Sequence, residues 1–172
     1  MFLEEIKIIE TSPCLAEKDR FKALTSTSVS LTEILPYLNA VVTEKPNYQP
    51  NSGSFIFKKG RIRFTLMDTS INITKFANMT ELLELLDWIK DLINDTYKNR
   101  ANIEPNHKAK KILPVLKIYN LLPKTNCKEC GEETCMAFAS GLNKSDKEID
   151  DCPPLGKSEF AGLRQKLINE MA

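Results

Sequence analysis

Four cysteines near the carboxyl end, Cys127, Cys130, Cys135 and Cys152, follow the spacing C-x2-C-x4-C-x16-C. Thiolates are soft ligands, and four of them converging from different directions suit an iron–sulfur cluster or a zinc ion. The three close cysteines would wrap a loop around one side of an inorganic core, and the distant fourth would close the cage. Structural zinc sites usually pair two short C-x2–4-C knuckles. Here only Cys127 and Cys130 form such a pair, because sixteen residues separate Cys135 from Cys152. The pattern favours a [4Fe–4S] cluster, and a structural zinc ion stays open as the alternative.

The neighbours of these cysteines suit such a site. Gly131, directly after Cys130, permits a positive φ or a close approach to inorganic sulfide. Glu132 to Leu142 has helical character, with Cys135 in the first turn, where free N–H groups and the helix dipole favour negative charge. Pro153 after Cys152 keeps the chain from running on as helix. Glu129, Glu132, Glu133, Asp150 and Asp151 would lower a redox potential here, while Lys124, Lys128, Lys144 and Lys147 would raise it. One unit charge at about 10 Å is worth roughly 1–2 kcal/mol at an effective dielectric near 20.

The stretch from about Ile112 to Leu167 resembles the N-terminal cluster module of the large (gamma) subunit of the corrinoid iron–sulfur protein. That protein belongs to the CO dehydrogenase/acetyl-CoA synthase system. The matching words are Ile118-Tyr119, Leu122-Pro123-Lys124-Thr125-Asn126-Cys127, Cys130-Gly131-Glu132, Thr134-Cys135-Met136-Ala137-Phe138-Ala139 and Asp151-Cys152-Pro153-Pro154-Leu155. A looser version occurs in the B subunit of Rnf-type electron-transport complexes. The resemblance implies a [4Fe–4S] cluster on the four cysteines, used for low-potential one-electron transfer. It covers only the C-terminal third, and the barrel domain that follows the module in that family is not matched. Corrinoid binding and methyl transfer are therefore not implied.

The rest of the composition is that of an ordinary soluble protein. The 172 residues are 42% hydrophobic and 27% charged, with 24 basic against 23 acidic side chains and a net charge of +1. That balance gives no polyelectrolyte argument for nucleic acid. No apolar run approaches the roughly 18 residues of a membrane span. Met1-Phe2-Leu3-Glu4-Glu5 puts acids where a secretory leader would be basic, so a cytoplasmic protein is expected. Five cysteines, four of them clustered, make a poor disulfide framework and a good metal site in a reducing compartment.

The elements that must position the site divide at about residue 107. Residues 1–107 predict an α+β domain, with a small antiparallel meander covered by helices. Residues 108–172 predict a small helical cluster-binding domain. Glu5 to Glu10 alternates as a short strand, and no element is assigned from there to Ser30. Ser30 and Glu33 could form a capping box for a helix bearing Leu31, Ile34, Leu35, Leu38 and Val42, although Pro36 interrupts it. Pro46 to Gly53 predicts a loop. Phe55-Ile56-Phe57, Arg61 to Leu66 and Ile71 to Phe76 predict three strands. Asn78 with Glu81 predicts a capped helix whose stripe is Leu82, Leu85, Leu86, Ile89, Leu92, Ile93 and Tyr97, flanked by Trp88.

Three other features invite chemistry and are better read plainly. Cys14 is expected as a small buried or half-buried residue, His107 as a solvated connector residue, and Lys108, Lys110 and Lys111 as a solvated helix entrance. No phosphate loop, zinc-protease motif or nucleophile elbow is present. The expected function is a low-potential one-electron carrier or adaptor, not an enzyme by itself. Its partner would be a redox protein, with a corrinoid protein or its methyltransferase or activator as candidates. A metal-stapled interaction module and an accessory factor of corrinoid-dependent methyl transfer are the alternatives.

Overall fold

A computed structural model of the chain describes every residue except Leu15, Ala16, Lys45, Ser145 and Ala172. It divides into two compact units, Met1–Lys110 and Lys111–Ala172. Among the described residues, no helix is long and apolar enough to cross a membrane.

The first unit is built on six antiparallel strands. These are β1 (Ile6–Pro13), β2 (Phe21–Thr27), β3 (Asn47–Gln49), β4 (Ser54–Lys59), β5 (Ile62–Met67) and β6 (Ser70–Phe76). Their order across the sheet is β1-β2-β6-β5-β4-β3. The expected meander is its centre, with Phe57 opposite Phe64 and Phe64 opposite Ile73. The row continues onto β2, where Ala23 faces Ile73. Alternation puts every second residue on one face, and Phe55, Phe57, Phe64, Leu66, Ile71 and Ile73 are all buried there. Gly60, at φ 59°, makes the tight turn between β4 and β5.

Two helices accompany the sheet, α1 (Leu35–Val41) and α2 (Met79–Asn99). The Asn78 side chain accepts from the Glu81 amide at 3.0 Å, as the sequence predicts for an N-cap. The Glu81 carboxylate reaches the Ala77 amide, one residue before the cap. Leu82, Leu85, Leu86, Ile89 and Ile93 join the core of the sheet, while Leu92, Tyr97 and Trp88 pack at its margin. The Trp88 ring lies 5.4 Å from Phe64, with the Lys59 ammonium 3.9 Å above it.

Helix α1 corrects one expectation. Leu31 and Ile34 are buried as predicted, but the α-helix begins only at Leu35, and Ile34 at its N-cap makes no side-chain cap bond. Ser30 turns instead to Asp68, which also accepts from the Thr32 hydroxyl at 3.1 Å. The capping box is therefore not formed. Pro36 falls in the first turn, where its missing N–H has no partner to lose, so it opens the helix instead of interrupting it. The lysines at 108 to 111 form no helix entrance. Lys110 lies beside β3, its amide donating to the Tyr48 carbonyl at 3.1 Å and its carbonyl accepting from the Gln49 side chain at 2.9 Å.

The second unit packs α3 (Val115–Asn120), α4 (Cys135–Asn143) and α5 (Ala161–Met171) around Ile118, Leu122, Phe138, Leu142, Leu155 and Leu167. Short 3₁₀ turns over Ile149–Asp151 and Pro153–Gly156 lead the chain from α4 to α5. Burying each of these leucines or phenylalanines is worth about 1.5–3 kcal/mol. In a unit this small, such contacts alone give marginal stability, as is usual for short domains that add a metal or another staple.

Candidate metal centre

The loop before α4 has an unusual backbone. Lys124, Asn126 and Lys128 adopt positive φ values of 61°, 49° and 63°, and Gly131 follows at 81°. Left-handed residues of this kind occur in the backbone nests that form anion sites and many iron–sulfur sites, where they are paired with right-handed neighbours. Gly131 thus has the positive φ expected of it. Its amide donates to the Lys128 carbonyl at 2.9 Å and closes the turn that carries Cys130.

Asn126 and Cys135 hold each other. The Cys135 amide donates to Asn126 Oδ1 at 2.8 Å, and the Asn126 amide reaches Cys135 Sγ at 3.4 Å. Hydrogen bonds to cysteine sulfur are among the factors that tune an iron–sulfur centre when one is bound. Cys135 is the first residue of α4, and Thr134 caps the helix by accepting from the Ala137 amide at 3.1 Å. The positive end of the helix dipole therefore lies at the Cys135 backbone.

Cys152 arrives between the two 3₁₀ turns. Pro153 opens the second of them, and the Leu155 amide donates to the Cys152 carbonyl at 3.0 Å. Cys152 is buried, Cys130 and Cys135 are half-buried, and Cys127 is exposed. Burial pushes the Cys152 thiol above its ordinary pKa, and a backbone hydrogen bond from Leu155 pulls it down. The charges of Cys130, Cys135 and Cys127 push it up again. Among the described residues, no three His, Cys, Asp or Glu side chains are drawn tightly enough together to ligate one metal ion. A hollow of about 500 Å³ opens beside Cys152, but none of the other three cysteines lines it.

Residues 122–154 match the family described as "Putative Fe-S cluster". All four cysteines of the motif lie inside the match. The match supports an iron–sulfur cofactor for this module, and the soft donor set of four free cysteines suits one. The gamma subunit of the acetyl-CoA decarbonylase/synthase complex of Methanocaldococcus jannaschii is 47% identical over 58 residues, 34% of this chain and 12% of that protein. The Methanothermobacter thermautotrophicus gamma subunit is 51% identical over 55 residues, 32% of this chain and 11% of the relative. Gamma subunit 1 of Methanosarcina thermophila is 55% identical over 49 residues, 28% and 10% respectively. The chain spans about a tenth of the length of these relatives. No solved structure matches it.

Several contributors carried no functional signal in sequence. Asn126 and Thr134 appeared only as letters within the matching words, yet they anchor Cys135. An Asx residue directly before a motif cysteine, and a Thr directly before an apolar run, are the signals that could have shown them. Lys147 counted only as a charge. Its ammonium donates to the Cys130 carbonyl at 3.0 Å and pairs with Glu132 at 3.2 Å. In the first unit, Cys14 is half-buried and His107 exposed, as expected, and Trp88 belongs to the core margin.

Proposed function

We propose that Cys127, Cys130, Cys135 and Cys152 hold one [4Fe–4S] cluster, and that the chain serves as a low-potential one-electron carrier or adaptor. The observation that carries this reading is the family match over residues 122–154, which encloses all four thiols and the left-handed loop before α4. A bound cluster supplies a one-electron couple whose potential depends on net charge, hydrogen bonds to sulfur and exposure. The chain contributes the rest. Asn126 directs its amide at Cys135, α4 presents its N-terminus there, and burial at Cys152 excludes water. The exposed Cys127 leaves one side of the site open to a partner.

The relatives named above are subunits of acetyl-CoA decarbonylase/synthase complexes. By that likeness the partner is a redox protein of a corrinoid or one-carbon system: the corrinoid protein, its methyltransferase or its activator. Residues 1–107 would recognise that partner and residues 108–172 would pass the electron. The activity of the relatives is not carried over, because their remaining length has no counterpart here.

The test is anaerobic reconstitution of the full chain with iron and sulfide. About four irons and four sulfides per chain are expected, with broad visible absorption that bleaches on reduction and an EPR signal in the reduced state. Purified protein holding zinc without acid-labile sulfide would refute the cluster. A cluster that no low-potential donor can reduce would refute the carrier role.

A further inference from the structure

Lys147 lies outside the cysteine motif but is built into the loop. Its side chain is only 25% exposed, and its ammonium donates to the Cys130 carbonyl at 3.0 Å while pairing with Glu132 Oε1 at 3.2 Å. The same peptide unit ends in the Gly131 amide, which donates to the Lys128 carbonyl at 2.9 Å. The Cys130–Gly131 peptide is therefore pinned from both ends. The stem of Lys147 lies along α4 at Gly141, where an added Cβ would come within 2.6 Å of the lysine Cγ and 3.3 Å of its Cβ. The Lys147 amide also donates to the Gly141 carbonyl at 3.1 Å. Glycine within a helix is otherwise unfavourable. Here it leaves the channel the aliphatic stem occupies.

We propose that Lys147 is a positioning residue of the cluster site, a strap from α4 to the cysteine loop, and that Gly141 exists to seat it. The inference rests on the iron–sulfur reading above. The strap fixes the direction in which Cys130 presents its sulfur by fixing the peptide that follows it. It also keeps one positive charge beside Glu132, so the added electron meets a neutral pair instead of a bare carboxylate. Partners that orient a ligand commonly change metal retention by about 10–100-fold when removed.

The experiment uses the full chain, reconstituted anaerobically, in the variants K147M, K147R, E132Q, G141A and K147M/G141A. Iron and sulfide in the wild type are measured first: their absence would sink the cluster reading and this proposal with it, whereas a loaded wild type leaves the variants to decide the strap. K147M should release iron to a chelator at least about tenfold faster, and its midpoint potential should fall. K147R should restore the potential, because the charge returns. E132Q should shift the potential upward, opposite in sign to K147M, a result that a purely structural role would not produce. G141A should release iron faster than the wild type, and should add less on top of K147M, where no ammonium is left to displace from the Cys130 carbonyl. If K147M takes up no cluster, the decision falls to E132Q and G141A, which keep the lysine. Equal midpoints in wild type and E132Q, or a G141A protein with the wild-type release rate, overturn the proposal.

Discussion

Asn126 does two separable things, and substitution can separate them. Its side chain accepts the Cys135 amide at 2.8 Å, and its backbone sits at φ 49°. Losing a hydrogen bond of this kind costs about 1 kcal/mol, toward the lower end because the site is open to water. Placing alanine in the left-handed region adds about 1–2 kcal/mol, a cost that asparagine partly avoids and glycine avoids altogether. N126A should therefore destabilise the organised loop by about 2 kcal/mol. N126G should cost about 1 kcal/mol, and N126D, which keeps the acceptor, should cost little.

At 1.4 kcal/mol per factor of ten, these losses translate into rates if the loop must open before iron leaves. Iron release to a fixed excess of chelator should rise about 30-fold in N126A and about fivefold in N126G. N126D should stay close to wild type. All three variants keep the amide directed at Cys135 Sγ, so the series reads only the side chain and the φ angle. An N126A protein that releases iron within about twofold of wild type would show that neither effect holds the loop. Equal rates in N126G and N126A would refute the backbone part of the reasoning.

Two further outcomes are expected. Phe64 is fully buried between Phe57 and Trp88 at 5.1 and 5.4 Å, so F64A should cost about 3–5 kcal/mol. Its urea midpoint, followed by the fluorescence of the chain's single tryptophan, should fall by about 1–3 M, and an unchanged midpoint would contradict the packing. The Lys117 hydrogen bond and charge, aided by Lys111 and opposed by slight burial, hold the Glu170 carboxyl below its usual pKa. A depressed folded pKa gives stability that is present above the unfolded value and lost as pH falls through the folded one. The melting temperature of the second unit should therefore drop in acid, less so in high salt, and E170Q should lose that part of the slope. Parallel slopes in the two proteins would dismiss the contribution.

The central hairpin, β6 and α2 were legible because their buried positions carry large apolar residues at periods of two and about three and a half. Strand β2 was not. Its inward positions are Ala23 and Thr25, while Leu24 on the opposite face is 40% exposed, so the usual alternation reads inverted. Thr25 is tolerated inside because its hydroxyl donates to the Ile71 carbonyl at 2.7 Å, a long-range partner that no local pattern reveals. Strand β3, three residues between Pro46 and Pro50, is held by pairing along β4, with Tyr48 opposite Phe55. At the site, the cysteine spacing, the positive φ at Gly131 and the entry of Cys135 into α4 could all be read from local chemistry. The roles of Asn126 and Lys147 could not, since each depends on a partner nine or more residues away.

The loop from Lys124 to Gly131 bears on why this segment exists in its observed shape. Lysine in the left-handed region costs about 1–2 kcal/mol, and two lysines adopt it here within five residues. The compensation within the loop is modest. Lys128 pairs with Glu133 at 2.6 Å, but both side chains are exposed, and such pairs contribute at most about 1 kcal/mol. Strained backbone of this kind persists where surrounding contacts over-determine it, and it clusters at functional sites. What the geometry gains is the Asn126 amide at Cys135 Sγ and the Asn126 side chain on the Cys135 amide. Burial, and to a lesser degree the charges of the other three cysteines, push the Cys152 thiol up, and both oppose an ionised, assembled state. The backbone strain and this opposition would be offset by one event, the binding of a positively charged metal core. The free energy of that binding would then be folding free energy for the second unit, so its stability and its iron content should rise and fall together.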